Sequence, residues 1–354
     1  MKPENKKDFP PARAVLEVWG VGQWGGRVAG RAATPGVPGV RFRLVDCDRQ
    51  NLICSPLEEN IFYQGPESLG PALEEADVVV CSAGLGSKMA EEFPAIAAQV
   101  RGAGTQLLAV TGLPFQMEGK AALRRGRDLV GELEASGIPT VVLQPDRYLS
   151  RSRGREGIET VFEETEQAAA TAVRVLLNAL LADYPERRTV EEIGRMLFPG
   201  LTAAAGGWLG KPGDDAVRGA KEAFTRMRLL SRERIRMRSL LVTVSSPGDL
   251  PLDEFQALLG VVDGLVPEKA LRQVCFRREN EESRRLGLGL LACFPEGRSD
   301  GNSPDFPVAP AAPTQSILDL ENLNRGMFAD IDPNLLGGED LDIPTFIRRG
   351  EHLD

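Results

Sequence analysis

The sequence is poor in the residues that most enzymes use for acid–base and metal chemistry. It contains one histidine, His352, so catalytic triads built on histidine and histidine-ligated metals are nearly excluded from a folded core. Its five cysteines form no CxxC pair. This pattern predicts cytoplasmic free thiols, with neither a zinc site nor a disulfide framework. We therefore expect no metal site built from protein side chains.

Long apolar runs and an excess of basic residues are also missing. No apolar run approaches the about 20 residues that cross a bilayer, and residues 1–13 contain no apolar core of a signal peptide. The net charge is −9 at pH 7, which argues against sequence-independent nucleic-acid binding and against adsorption to anionic lipid. The sequence therefore predicts no nucleic-acid partner and no direct membrane insertion.

Short apolar segments alternate with helical segments through residues 14–150. The continuous apolar run at 77–83 is typical of a buried parallel strand. Such alternation predicts a parallel sheet with helices on both faces, and ligands in such sheets bind at the carboxyl ends of the strands. The predicted strands are 15–21, 40–46, 77–83, 106–111 and 140–143, and the predicted helices are 26–33, 90–101 and 120–136.

The second half of the chain shows a different pattern. Apolar residues recur every three to four positions within 151–184, which predicts a central helix of about 25 residues, or about 37 Å. Residues 185–294 mix helical segments with strands at 239–244 and 287–294, so we expect an α+β second domain. Residues 295–315 have the composition of a flexible linker, and residues 316–354 form a tail after it.

A glycine-rich segment follows the first predicted strand. Gly20, Gly22, Gly25 and Gly26 lie between that strand and the predicted helix, and Asp46 ends the next strand. Glycines in this position let a backbone approach phosphates, and an acid at the end of the second strand binds ribose in dinucleotide enzymes. An NAD(P)-binding oxidoreductase is therefore one interpretation. A tight strand-to-helix turn with no ligand is another.

The tail contains a short segment with the features of a docking peptide. Acids precede Pro344 and bases follow it, as suits the dipole of a short helix that begins with proline. The apolar side chains are too few to fold alone but sufficient to dock in a groove. The predicted partner-binding residues are Leu341, Ile343, Pro344, Phe346, Ile347 and Arg348.

Several segments together resemble the FtsZ family, the bacterial tubulin homologues of cell division. The second strand ends in Val45-Asp-Cys-Asp-Arg-Gln50, similar to V-N-T-D-A-Q of the family, and Thr111–Lys120 is similar to T-K-P-F-x-F-E-G-K. The tail resembles the family's C-terminal peptide. The resemblance implies a Rossmann-like tubulin domain, a long central helix, an α+β second domain, and a disordered linker and tail. It also implies action in the cytoplasm at the division site.

The segment that should bind nucleotide departs from the family pattern. After Gly84 and Gly86 the chain continues with Ser87 and Lys88, where the family has G-G-G-T-G-T-G, a phosphate cradle of glycines and threonines. Glu91 and Glu92 follow. One carboxylate about 5 Å from a phosphate charge costs roughly 3 kcal/mol at an effective dielectric of 20. These acids can instead point away and favour the start of the next helix.

Two further positions bear on the same site. Trp24 replaces a glycine of the first loop, and Glu166 aligns with the guanine-contacting asparagine of the central helix. The resemblance implies a site formed by Gly20, Gly22, Gly25, Gly26, Asp46, Gly84, Gly86, Lys88 and Glu166. We expect GTP, with Mg²⁺, to bind there weakly. An active GTPase that forms the division ring remains the alternative.

The resemblance also implies catalysis between subunits and defined partners. Glu192 aligns with an acid that positions water at the next subunit's nucleotide. Thr189-x-x-Glu192 is equally a capping box, in which Glu192 only closes a helix end. The implied partners are a second copy or another FtsZ, in a head-to-tail polymer, and membrane-anchoring division proteins that bind the tail.

Overall fold

Ten strands form one continuous sheet in the computed structural model. The structure describes residues 14–34, 36–149, 157–183, 187–197, 199–210, 214–248, 250–279 and 286–295, and the backbone of 335–336 and 339–340. The strand order is β3-β2-β1-β4-β5-β6-β7-β10-β8-β9. The strands are β1 Leu16–Val21, β2 Val40–Asp46, β3 Glu59–Phe62, β4 Val78–Gly84, β5 Gln106–Gly112, β6 Thr140–Leu143, β7 Leu201–Gly210, β8 Ser239–Ser246, β9 Leu271–Arg278 and β10 Leu286–Pro295.

Strand direction changes halfway across the sheet. Strands β1 to β6 pair in parallel, whereas β10 pairs antiparallel with both β7 and β8. The two halves meet where Leu143 of β6 pairs with Ala203 of β7, the one register pair between these strands. The helices are α1 Gly22–Ala32, α2 Arg49–Ile53, α3 Gly70–Leu73, α4 Phe93–Gly102, α5 Lys120–Ala135, α6 Asp146–Leu149, α7 Ile158–Leu180, α8 Val190–Met196, α9 Ala216–Arg226, α10 Ser231–Ile235 and α11 Leu252–Asp263.

Side chains alternate between the two faces of the sheet along each strand, so a hydrophobic core forms on each face. In β1, Leu16 and Val18 belong to the core that contains α1 and α7, while Trp19 and Val21 belong to the core against α4. Successive side chains of a strand point to opposite faces, which explains this division. The central helix α7 has 23 residues. Its small and branched apolar side chains, from Ala168 to Leu180, are buried.

The predicted fold class is confirmed, with local corrections. The parallel sheet, the long helix and the mixed second half are present, and β2 and β6 have the predicted bounds. The helix predicted to start at Gly26 starts at Gly22. Strand β7 was not predicted, because its Leu201–Gly210 sequence is mostly alanine and glycine, which have little strand propensity.

The second domain predicted at 185–294 shares the same sheet as the first. The chain up to Gly297 forms one compact unit, and Arg298–Asp354 form another. In the second unit, Leu335–Leu336 pair antiparallel with Glu339–Asp340. The other residues of the predicted linker and tail, apart from the end of β10, lie outside the described residues. No helix in the described parts of the chain is long and apolar enough to cross a membrane.

Candidate functional site

Seven of the predicted nucleotide residues lie at the carboxyl ends of β1 and β4, whereas Asp46 ends β2 and Glu166 lies in α7. Strand β1 passes directly into α1 at Gly22, whose φ is +70°, so the predicted glycine loop is the first turn of a helix. A Cβ on Gly22 would lie 3.0 Å from Met89 and 3.5 Å from the Ser87 hydroxyl. The start of α1 therefore contacts the segment that follows β4.

Three glycines of this segment permit close packing of α1 on the sheet. A Cβ added to Gly25 would lie 2.2 Å from the Ser82 carbonyl oxygen of β4, and one on Gly26 would lie 2.7 Å from Leu44 of β2. A Cβ on Gly20 would lie 2.4 Å from the Gly25 carbonyl oxygen. The Ser82 hydroxyl also donates to that same Gly25 oxygen at 3.1 Å. These glycines are thus required by helix–sheet packing, with or without a ligand.

The Trp24 side chain covers the ends of two central strands. A Cβ on Gly84, the last residue of β4, would lie 3.0 Å from Trp24 Cβ. A Cβ on Gly112, the last residue of β5, would lie 2.8 Å from Trp24 Cζ2. Ligands of parallel α/β sheets bind at this edge. The indole therefore packs on the backbone at the ends of β4 and β5.

The segment after Gly84 is held by contacts within the protein. The Leu85 amide donates to the Gly112 carbonyl at 2.8 Å, and the Ser87 hydroxyl donates to the Gly84 carbonyl at 2.8 Å. Lys88 is exposed in a short 3₁₀ turn, Lys88–Ala90. Gly86 is exposed, and a Cβ there would lie 2.9 Å from a Glu118 carboxylate oxygen. Lys88 is the cation of this segment with a side chain open to solvent.

The two acids that follow have partners inside the protein. Glu91 forms an ion pair of 3.1 Å with Arg125 of α5. Glu92 accepts a hydrogen bond of 3.3 Å from the Tyr63 hydroxyl. Burial, then the charge of Glu92, raises the pKa of Tyr63, so this phenol keeps its proton and donates. Both carboxylates are engaged by neighbouring elements.

Glu166 ties the central helix to α1. Its side chain is 4% exposed, and its carboxylate lies 2.6 Å from Arg27 Nε and 3.1 Å from Arg31 Nε. Arg27 and Arg31 are one helical turn apart, so both reach α7 from the same face of α1. The sequence pattern did not identify Arg31 as a site residue, although a spacing of four residues places it on the same face of α1 as Arg27. The carboxylate aligned with the guanine contact is thus held by two guanidinium groups.

Asp46 stabilises the turn into α2. It is 2% exposed, and its two carboxylate oxygens accept from the Asp48 amide at 2.8 Å and the Asn51 amide group at 2.9 Å. A ribose-binding acid needs its oxygens directed at the ligand. The local bonds of Asp46 therefore do not favour the dinucleotide interpretation.

Glu192 forms the capping box of α8. The Thr189 amide donates to Glu192 Oε2 at 2.9 Å, and the Glu192 amide donates to the Thr189 hydroxyl at 3.1 Å. These two bonds satisfy amides that a helix start leaves unpaired. The structure thus shows the capping role of Glu192. Its catalytic role stays a prediction.

The partner-binding residues, Leu341, Ile343, Pro344, Phe346, Ile347 and Arg348, lie outside the described residues. Within the described ranges, no group of three or more histidine, cysteine, aspartate or glutamate side chains is arranged to hold a metal ion.

Comparisons with known proteins identify relatives over nearly the whole chain. No family model matches the chain. The cell division protein FtsZ of Azotobacter vinelandii is 23% identical over 97% of this chain and 98% of its own length. An empty FtsZ dimer from M. jannaschii superposes with a TM-score of 0.60 at 19% identity, over 79% of this chain and 88% of that one.

A third similarity is to a nucleotide-bound relative. A GTPγS-bound protofilament of CetZ2 from Haloferax volcanii superposes with a TM-score of 0.55 at 20% identity, over 78% of this chain and 92% of that one. Both solved structures are below 25% identity to the chain, so they show a shared fold. The chain therefore has the FtsZ/tubulin fold, and it is similar in sequence to a cell division protein FtsZ along nearly its whole length.

Proposed function

We propose that this protein is an FtsZ-like scaffold of cell division that self-associates or co-polymerises, with weakened GTP binding and hydrolysis. One observation carries the proposal: the protein's own Trp24 packs on the carboxyl ends of β4 and β5, the edge at which ligands of such sheets bind. The chain has the fold of a polymer-forming family, and Trp24 at this edge supports weakened nucleotide binding. We infer that assembly depends on protein–protein contact more than on nucleotide.

The assembly part of the proposal is supported by the relatives. Similar solved structures include an FtsZ dimer and a CetZ2 protofilament. The chain retains both halves of the sheet and the helix between them, which are the parts that a head-to-tail polymer would need. The expected partners are a second copy or another FtsZ.

The charge at the site supports the nucleotide part of the proposal. In place of a neutral amide, Glu166 presents a carboxylate that already binds Arg27 and Arg31. A guanine base would have to displace these ion pairs, and a phosphate would have to displace Trp24. GTP is therefore expected to bind weakly, with Mg²⁺ accompanying it. Steady turnover would favour the active-GTPase alternative.

The test is to denature purified full-length protein and identify any released nucleotide. We expect substoichiometric guanine nucleotide and no NAD(P). In sedimentation and negative-stain microscopy, polymers or co-polymers with a second FtsZ should form equally with and without GTP. A strictly monomeric protein that joins no filament would overturn the proposal. So would steady micromolar GTP turnover that Glu192→Ala abolishes.

A matched pair of variants sharpens this test. Trp24→Gly should uncover the ends of β4 and β5 and tighten GTP binding by about tenfold, or about 1.4 kcal/mol. Trp24→Phe keeps an aromatic cover and should bind GTP as the original protein does. Equal GTP affinity in all three proteins would show that the indole does not limit nucleotide binding.

We propose in addition that the tail docks a membrane-anchoring division protein. The motivation is the set of apolar anchors around Pro344, flanked by acids and bases. Phe346→Ala or Ile343→Ala should weaken binding by about tenfold or more, because each removes a buried anchor. Titration of the tail peptide against the partner measures this, with Thr345→Ala as the control. Unchanged affinity in both anchor variants would count against the proposal.

A further inference from the structure

A short basic segment that contains α10 connects α9 to β8. Residues 230–238 include four arginines and one glutamate. The glutamate, Glu233, is buried and pairs with Arg147 of α6 at 2.9 Å. The arginines are all exposed; they are Arg232, Arg234, Arg236 and Arg238. The surface of this segment therefore presents cations and no acid of its own.

The segment has a buried face and an exposed face. Glu233 and Met237 are four positions apart and only 8% and 4% exposed, so they form the inner face. Arg232, Ile235 and Arg236 have the three- and four-residue spacing of one helix face, and all three are exposed. Ile235 is 77% exposed. An isoleucine with this exposure protrudes from the surface and does not line a groove.

The first residue of β9 adjoins the end of this segment. The Arg238 carbonyl accepts from the Leu271 amide at 2.8 Å, and the Arg238 amide donates to the Cys293 carbonyl at 2.8 Å. These bonds hold the Arg238 backbone beside Leu271, whose side chain adds a second exposed apolar group. Together, Arg232, Ile235, Arg236 and Arg238 form the basic patch.

The arginines of this segment differ in how they are bonded. Arg234 donates to the Leu265 and Gly264 carbonyls at 2.9 and 3.2 Å, which fixes α10 against the end of α11. The three arginines of the basic patch form no ion pair with any side chain that the structure describes. One arginine therefore holds the segment in place, and the other three are available to an external anion.

The acids on the neighbouring elements have cationic partners or neighbours of their own. Asp263 of α11 pairs with Arg272, and Glu222 of α9 pairs with Arg226. In the turn before β9, the exposed Glu268 is followed by an exposed lysine. At physiological salt, screening limits interactions between surface charges to about 8 Å. The local excess of arginine therefore matters more to a partner at the basic patch than the net charge of −9 of the whole chain.

We propose that the basic patch adsorbs to an anionic lipid surface. The arginines lie among the headgroups, Ile235 enters the interface, and no segment crosses the bilayer. A protruding aliphatic side chain among unpaired arginines is typical of segments that bind at the membrane surface. The basic patch has no aromatic side chain on which a nucleic-acid base could stack. The protruding Ile235 also offers no groove for the side chains of an acidic peptide.

Cosedimentation of the full-length protein with lipid vesicles tests the proposal. The vesicles consist of phosphatidylcholine alone or of phosphatidylcholine with about one third phosphatidylserine, at about 0.15 M salt. The anionic vesicles should bind the protein at least about tenfold more tightly than the neutral ones, and about 1 M salt should abolish the difference.

The outcome is separate from the proposed function. Phe346→Ala and Trp24→Gly should bind the anionic vesicles as the original protein does, because neither the tail nor the Trp24 edge takes part. Equal binding to both kinds of vesicle, or binding to neither, would overturn the proposal. So would tighter binding of single-stranded RNA or of polyglutamate than of anionic vesicles at the same concentration of negative charge.

Matched pairs of charge variants locate the contact. Arg232→Gln combined with Arg236→Gln should weaken binding to anionic vesicles by about twentyfold, because each basic residue near such a surface contributes about fivefold. Lys120→Gln combined with Arg124→Gln removes the same charge from the exposed face of α5 and should change binding less than about twofold. Equal losses in the two double variants would show that the net charge, not the basic patch, determines adsorption.

Two isoleucines test the apolar part of the contact. Ile235→Ser should weaken binding to anionic vesicles by about fivefold, because less apolar surface leaves water. Ile53, at the end of α2, has the same exposure of 77%, so Ile53→Ser is the matched control and should leave vesicle binding unchanged. If neither substitution altered binding, insertion of Ile235 into the interface would be wrong.

Discussion

Replacing Gly25 with alanine should destabilise the protein by about 3 kcal/mol, at the high end for overpacked positions. The new Cβ would lie 2.2 Å from the Ser82 carbonyl oxygen and 3.1 Å from the Gly20 carbonyl carbon. Both obstacles are backbone atoms of strands, so no side-chain rotation relieves the clash. Chemical denaturation monitored by circular dichroism measures the loss.

The control for Gly25 is another glycine in a helix. Gly131 lies on the exposed face of α5, with nothing within 4 Å of an added Cβ. Gly131→Ala should stabilise the protein by about 1 kcal/mol, the difference in helix propensity. If Gly25→Ala left stability unchanged but altered nucleotide binding, the packing role assigned to Gly25 would be wrong.

Replacing Glu17 with alanine should cost about 3–5 kcal/mol, because it breaks a buried charge cluster. Glu17 is fully buried in β1 and lies 2.7 Å from Arg41 and 3.0 Å from Arg43. It also accepts from the Trp19 indole N–H at 2.7 Å. The substitution leaves that buried donor without its partner and the two arginines without their buried counterion.

Glu75 provides a matched comparison for Glu17. It pairs with the same two arginines, but its side chain is 55% exposed. Solvent screens such pairs, so Glu75→Ala should cost less than about 1 kcal/mol. Urea unfolding of both variants decides the matter. Similar losses of unfolding free energy in the two variants would mean that burial does not determine how much each carboxylate contributes to stability.

The regular part of the fold could be predicted from the sequence because it depends on local pattern. Short segments rich in apolar residues gave β2 and β6 their bounds, and three-to-four spacing gave α7 its position. Strand β7 carries neither signal. Its pairing with β10 depends on residues about 80 positions away along the chain, which local propensity does not describe.

The same limit applies to the candidate site. The sequence indicated which segments lie at the carboxyl ends of the strands, but it did not indicate what their side chains contact. Glu166 meets Arg31 across 135 positions of sequence, and Trp24 rests on the ends of two strands. Such contacts follow from how α1 packs on the sheet and α7. The glycines that resemble a phosphate loop are explained by the same packing.

The positions of the three tryptophans give the protein a set of intrinsic fluorescent probes. Trp19 is fully buried against Glu17, so its emission should stay constant in the folded state and change on unfolding. Trp24 lies on the ends of β4 and β5, and Trp208 lies in β7. Single-tryptophan variants therefore separate events at the two places optically, without an attached label.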